Sequence, residues 1–370
     1  MKPNHYLVVA GDPSGDLHAS NLIKALKRRD ASVRVAAVGG PLCRAAADEF
    51  IEDLVSHGVT GFWEPVLKIG FFLELAGRLK RFLVKRRPTA LICVDYYGFN
   101  RRILPYAKDA GIPAFYFVSP QVWASRPGRI NVLKSFVKKM IVIFPFEEKL
   151  YREAGVPAEF VGHPLLDLIA EPPARPPQAK VVGLLPGSRS SEIRRHLPLF
   201  LDAYRSLRRN HPNLQGLLFA SANQEDSVYG ALPEGVRLVR EQDYKLRSTL
   251  DLAICSSGTA TLENALLGVP MVVVYKMSWA TYLIARALVN VKNVAMANIL
   301  AAKTVVTELI QGDATTERIA IEAAMILDNP KKAEAVRAEL LAVRRSLGSP
   351  GAADRAAAAI LTASVPEAVK

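Results

Sequence analysis

YLVVAGDPSGDLHASNLIKAL, residues 6–26, passes from a continuous apolar run through a glycine-bracketed turn into apolar residues at helical spacing. A short buried strand feeding a helix in this way is the repeating unit of a parallel sheet covered on both faces. Runs of the same kind follow at VRVAAV 33–38, ALICVD 90–95, AFYFV 114–118 and MIVIF 140–144, separated by stretches with helical periodicity. The alternation then restarts with VVGLL 181–185, LQGLLFA 214–220, VRLVR 236–240, LAIC 252–255 and MVVVY 271–275. Between the two series lies EPPARPPQAK, residues 171–180, whose four prolines disfavour helix interiors and central strands. The expected architecture is α/β: a doubly wound domain over residues 1–170, a linker at 171–180, a second doubly wound domain over 181–340 and terminal helices over 341–370. Two such units facing each other would bind ligand in a cleft at the carboxyl ends of their strands. From about residue 317 the Ala-rich tail reads as two or three helices, interrupted at Asn329-Pro330 and Gly348-Ser349-Pro350.

Of the 370 residues, 50% are hydrophobic and 22% charged, which excludes a disordered chain. No apolar run reaches the ~18 residues of a membrane span, and the apolar run before Gly11, Tyr6–Ala10, is only five residues long, too short for an export signal. Three widely spaced cysteines suggest neither a disulfide framework nor a multi-cysteine metal site, and a cytoplasmic chain is expected. The net charge of +13 favours an anionic partner: a phosphorylated substrate, an acidic membrane surface or nucleic acid. Nucleic acid is the weakest of these, because the basic residues accompany greasy segments and no nucleic-acid-binding signature is present.

The residues that could carry chemistry sit where strand runs end. After the first, Gly11 and Gly15 suit a tight turn, and Ser14 or Asp16 can cap the helix, whose amino end favours a phosphate or sugar group. The spacing is not GxGxxG, and a structural turn explains the loop equally well. Asp95 follows a buried-looking strand directly, with Tyr96, Tyr97, Phe99 and Asn100 beside it. A partly desolvated carboxylate there can act as a general base; a strand-end cap is the rival. FVSPQVWASRPGR, 117–129, brings Ser119 and Gln121 for hydrogen bonding, Trp123 for apolar contact, and Arg126 and Arg129 for anions. His163 in FVGHPLLD is either structural or a residue that neutralises or protonates a leaving group. In 59–87, Phe72, Leu75, Leu79 and Phe82 recur at helical spacing while Arg78, Lys80, Arg81, Lys85, Arg86 and Arg87 crowd the second half. That pattern fits an interfacial or pocket-lining helix, or one whose stripe packs on the sheet.

The second series carries two anion-friendly turns. Gly187, Ser188 and Arg189 open the first, with Glu192 in the following helical turn; Ser256, Ser257, Gly258 and Thr259 form the second, with Glu263 one turn later to accept sugar hydroxyls. Neither is a Walker A loop, and together they suggest a phosphorylated donor. No motif or cluster supports a metal site, and no cofactor is implied.

The ordered set GDPSGDLHASNLIKAL, VGGP, CVDYYGFN, YFVSPQVWA, FPFEEKLY, FVGHPLLD, LLPGSRSSEI, SSGTATLENAL and NILAAKTVVTELIQ resembles bacterial lipid-A-disaccharide synthases over about residues 6–313. The resemblance implies a GT-B fold of two Rossmann-like domains and an inverting glycosyltransferase. Such enzymes transfer 2,3-diacylglucosamine from UDP-2,3-diacylglucosamine to lipid X, 2,3-diacylglucosamine 1-phosphate, forming a β-1′,6-linked disaccharide and releasing UDP. By the family's motifs Asp95 matches the carboxylate that activates the acceptor's 6-hydroxyl, and Arg189 matches a donor-phosphate contact. The resemblance further implies an N-terminal acceptor and lipid-binding domain, with Asp12, Ser14, Asn100, Ser119, Gln121, Trp123 and Arg126 as candidate contacts and Phe72, Leu75, Leu79 and Phe82 facing acyl chains or membrane. It also implies peripheral attachment to the cytoplasmic face of the inner membrane, terminal helices that return to the first domain, and homodimers within the family's range. Two motifs depart from the family: Gly11-Asp12-Pro13 replaces Gly-Glu-Ala, and Asp95-Tyr96-Tyr97-Gly98-Phe99-Asn100 lacks the second carboxylate of Asp-x-Pro-Asp-Phe-Asn. The rival readings are another UDP-sugar transferase or epimerase acting on an unacylated sugar, and a noncatalytic binder of anionic lipid.

Overall fold

The computed structural model describes residues 4–57, 69–124, 128–172, 180–241, 243–279, 282 and 293–364. These form two compact units, one built from the described residues up to Pro164 together with those from Leu347 onward, the other from Leu165–Ser346. Most of the proline-rich stretch, residues 173–179, lies outside the described residues.

The first unit is built on a parallel seven-stranded sheet of β1 (His5–Ala10), β2 (Arg34–Gly39), β3 (Glu49–Asp53), β4 (Ala90–Val94), β5 (Ala114–Phe117), β6 (Lys139–Val142) and β7 (Ala158–Phe160). Their spatial order is β3-β2-β1-β4-β5-β6-β7. The central strands are apolar throughout because helices cover both faces, and Leu7, Val9, Leu91, Cys93 and Tyr116 are buried in one core. The second unit repeats the plan with β8 (Val181–Leu185), β9 (Gln215–Phe219), β10 (Val236–Val239), β11 (Leu252–Ser256), β12 (Met271–Tyr275) and β13 (Thr307–Ile310), ordered β10-β9-β8-β11-β12-β13. Its core is separate and centres on Leu184, Phe200, Tyr204, Ile254 and Val272.

In both sheets the chain winds outward in one direction and then in the other, so the crossovers diverge between β1 and β4 and between β8 and β11. Loops leaving the carboxyl ends of those pairs make the crevice that open α/β sheets use for ligands.

The tail forms three helices, Thr316–Leu327, Pro330–Ser346 and Ala352–Ser364. The last packs against the helix Pro13–Arg29 of the first unit. There Arg28 pairs with Asp354 at 3.0 Å, and Arg355 Nε donates to the Val161 carbonyl at 2.7 Å.

The helix Ile69–Arg86 corrects one expectation. Leu75 and Leu79 are fully buried, and Phe72 and Phe82 pack partly buried on the same core, so this stripe covers the sheet. The apolar side chains that the helix exposes are Ile69, Leu73 and Val84, on a face shared with Lys80 and flanked by exposed Arg81, Glu74 and Lys85.

Asp16 also differs from expectation, because it does not cap its own helix. Its buried carboxylate crosses to the VGGP turn after β2 and accepts from the backbone N–H groups of Gly40 at 2.8 Å, Leu42 at 3.0 Å and Cys43 at 3.0 Å. Asp16→Ala would strand these donors and is expected to lower the unfolding free energy by about 2–4 kcal/mol in urea melts. Asp16→Asn, which keeps one acceptor oxygen, should lose less.

Candidate active site

In the first unit the site starts at the β1–β4 pair. The register aligns Ala10 with Val94, so the loops beginning at Gly11 and Asp95 leave the sheet as neighbours. Gly11 is required by contact and not by an unusual dihedral: a Cβ there would lie 2.1 Å from the Tyr96 ring. Asp12 is the N-cap of the helix Pro13–Arg29, its Oδ1 accepting from Gly15 N–H at 2.6 Å.

Asp95 and Tyr96 both adopt left-handed backbone, with φ of 45° and 42°. Two buried groups hold the Asp95 carbonyl in that strained position: Tyr116 Oη donates to it at 2.5 Å and Asn100 Nδ2 at 2.8 Å. The Asp95 residue is half-buried. Burial, reinforced by the Asp12 charge, raises its pKa to about 7, while the Tyr96 N–H opposes the shift. A carboxyl with these properties is tuned for proton transfer at neutral pH.

The loop after β5 is strained as well, since Val118, a β-branched residue, has a φ of 60°. Buried Glu147 anchors it by accepting from Ser119 Oγ at 2.5 Å, Trp123 Nε1 at 3.2 Å and the Phe144 N–H at 3.3 Å. Burial lifts the Glu147 carboxyl to about 7 against those three donors. Sequence reasoning assigned Glu147 no role; FPFEEKLY identified the family but did not show which glutamate turns inward.

Several candidate contacts are thereby corrected. Asn100 and Ser119 are buried: Asn100 Nδ2 and Ser119 Oγ bond to the scaffold, whereas Asn100 Oδ1 has no hydrogen-bond partner among the described residues. His163 is buried against Phe144, their ring centroids 5.2 Å apart, and burial, with His18 nearby, lowers its pKa to about 3, which favours the neutral imidazole over a charged one at neutral pH. Ser14 Oγ lies 3.2 Å from His18 Nε2. Gln121 is exposed, Trp123 half-buried, and Arg126 lies outside the described residues.

The second unit holds a cavity of about 400 Å³ lined by Gly187, Ser188, Arg189, Ser256, Ser257, Gly258, Thr259 and Glu263. It therefore unites both turns picked out from the sequence, at the carboxyl ends of β8 and β11. Gly187 has a φ of 123°, open to glycine and strained for other residues. Around it the Ser188 and Arg189 N–H groups donate to Glu192 Oε2 at 3.3 and 3.4 Å, and Arg189 Nη1 to Glu192 Oε1 at 2.9 Å. A turn whose backbone donors converge on a carboxylate is also shaped for phosphate oxygens. Below it lies His196, buried and neutral, donating from Nδ1 to the Pro186 carbonyl at 2.9 Å and accepting at Nε2 from the Lys276 N–H at 3.1 Å. Sequence reasoning also missed Arg247, Phe219 and Glu241, which line the same cavity from outside the two motifs.

The family model for lipid-A-disaccharide synthetase matches residues 6–360. A lipid-A-disaccharide synthase of Syntrophus aciditrophicus is 43% identical, with 98% of each chain covered. The enzyme of the same name from Geobacter metallireducens is 40% identical over 96% of each. Among solved structures, the UDP-GlcNAc 2-epimerase of Neisseria meningitidis bound to UDP-GlcNAc aligns with a TM-score of 0.64 at 12% identity, covering 97% of this chain and 100% of that one, a likeness of fold alone. With a matching family model along nearly its whole length and relatives at about 40% identity over both chains, the chain belongs to the lipid-A-disaccharide synthase family, built on the two-domain GT-B fold.

Proposed function

We infer that this chain is an inverting glycosyltransferase in which Asp95 is the general base and the cavity of the second unit holds the donor's diphosphate. The reaction is that of the family: 2,3-diacylglucosamine passes from UDP to the 6-hydroxyl of lipid X, giving the lipid A disaccharide 1-phosphate and UDP. The observation that carries the assignment of roles is the Asp95 carboxyl, raised to about 7 on a strained turn at the sheet's divergence point. As the acceptor oxygen attacks the anomeric carbon, Asp95 takes its proton, the glycosidic C–O bond forms and the bond to the diphosphate breaks. Inversion by direct displacement needs no covalent enzyme intermediate. Negative charge then gathers on the departing diphosphate, where Arg189 and the N–H groups of the Gly187–Arg189 and Ser256–Thr259 turns offset it.

Among the described residues no helix is long and apolar enough to cross a membrane. Attachment to an anionic membrane surface is supported by the helix Ile69–Arg86, whose exposed Ile69, Leu73 and Val84 share a face with Lys80 and are flanked by Arg81 and Lys85, with Glu74 between these two. That face supplies apolar and cationic contacts for acylated phosphosugars delivered from a bilayer.

Incubation with UDP-2,3-diacylglucosamine and lipid X in detergent micelles should give the tetraacyl disaccharide 1-phosphate by mass spectrometry only when both are present. Its absence, from folded protein across several acyl lengths, would reject the reaction. Asp95→Asn should lower turnover by about 100-fold or more while retaining UDP binding. The same variant should be more heat-stable than the parent at pH 8. The raised pKa means that the folded state binds the proton more tightly, so stability falls as pH rises from about 4 to about 7, and below pH 4 the two proteins should differ little. Arg189→Ala should weaken UDP binding in calorimetry by about tenfold and lipid X binding by much less; equal losses would point to a shared structural defect.

A further inference from the structure

Glu263, on the wall of the donor cavity, is held from two sides by residues outside both phosphate-binding turns. Tyr244 Oη donates to its Oε1 at 3.0 Å, and Arg247 Nη1 donates to its Oε2. This pair is largely removed from water, with the Arg247 and Glu263 side chains 13% and 16% exposed. The guanidinium also lies over the Phe219 and Tyr244 rings, 5.3 Å from each centroid. Its main chain is fixed in turn, because the Leu246 and Arg247 N–H groups donate to Glu241. Tyr244 adopts a φ of 60°, a left-handed conformation that an ordinary surface turn would not impose on an aromatic residue. Among the described residues the buried Arg247 Nε has no hydrogen-bond partner.

A structural ion pair does not require this arrangement. A carboxylate offers about four lone-pair positions, two on each oxygen. Tyr244 occupies one on Oε1 and Arg247 one on Oε2, which stops the carboxylate from turning and leaves one acceptor position on each oxygen. Two adjacent acceptors in fixed orientation match the paired donors of a vicinal diol. Arg247 also offsets a negative charge that would otherwise repel a diphosphate in the same cavity. The unpartnered Nε–H is a further donor for an acceptor oxygen of the ligand.

We propose that Arg247 is a positioning residue for sugar recognition, which with Tyr244 orients Glu263 to receive the ribose hydroxyls of the nucleoside diphosphate donor. The proposal rests on the reading of this cavity as the donor site and adds what holds Glu263, already a candidate acceptor of sugar hydroxyls, in the orientation that receives them. Orientation of Glu263 then sets the preference for a ribose over a deoxyribose, while the diphosphate is held elsewhere, by the two turns.

The test is calorimetry on the full chain with UDP, 2′-deoxy-UDP and pyrophosphate. The parent should prefer UDP over 2′-deoxy-UDP by about tenfold or more. In Arg247→Met, which keeps an apolar chain against Phe219, and in Tyr244→Phe, which deletes one hydroxyl, that ratio should fall at least about threefold, with pyrophosphate affinity changed by less than about twofold. An unchanged ratio in both variants, or equal loss of all three ligands, would overturn the role given to Arg247. A parent that binds UDP and 2′-deoxy-UDP equally would overturn the diol reading of Glu263, while one that binds no UDP would reject the donor site itself.

Discussion

Parallel pairing of β1 with β4, and of β8 with β11, is the constraint on which both sites depend. Buried backbone must hydrogen-bond, and in a parallel sheet the only exits from the central strands are loops at their ends. Where the crossovers diverge, two loops leave neighbouring strands without a helix closing over them. Asp12 and Asp95 occupy that position in the first unit, and Gly187–Arg189 and Ser256–Thr259 occupy it in the second. The side chains differ: two carboxylates, Asp12 and Asp95, lie at one crevice, while at the other backbone donors and the Arg189 and Arg247 guanidiniums accompany Glu192, Glu241 and Glu263.

Around each crevice, buried polar groups spend their hydrogen bonds on holding a loop in shape. Tyr116 and Asn100 bind the Asp95 carbonyl, Glu147 fixes the turn through Ser119 and Trp123, and His196 bridges the Pro186 carbonyl and the Lys276 N–H. Of the left-handed non-glycine residues, Asp95, Tyr96 and Val118 in one unit and Tyr244 in the other lie beside the residues assigned to chemistry and recognition, while Arg87, Ala302 and Gln311 lie elsewhere. A folded state that keeps Asp95 partly desolvated gives up stability at neutral pH for a carboxyl able to accept a proton there.

The central strands were legible because burial on both faces makes them continuous apolar runs; VVGLL and MVVVY match β8 and β12 residue for residue. The three strands not read from the sequence are edge strands, β3 (EFIED), β7 (AEF) and β13 (TELI), each carrying acidic residues that blunt the periodic signal. Among site residues, those in glycine-rich turns were visible because turn chemistry is local. Glu147, His196 and Arg247 were not, since their importance comes from contacts 10 to 80 residues away, such as Ser119, Lys276 and Glu263. The stripe from Phe72 to Phe82 shows the converse limit: helical periodicity identifies an apolar face, but it does not say whether a sheet or a membrane covers it.

The central claim, that Asp95 removes the acceptor's proton, is tested most directly by the pH dependence of the chemical step in single-turnover experiments at saturating substrates. The account predicts a rate that rises tenfold per pH unit on the acid side, with a limb near pH 7 set by the partly buried carboxyl, and a plateau above it. A rate that stays flat down to pH 5, or an unchanged limb near pH 7 in Asp95→Asn, would contradict it.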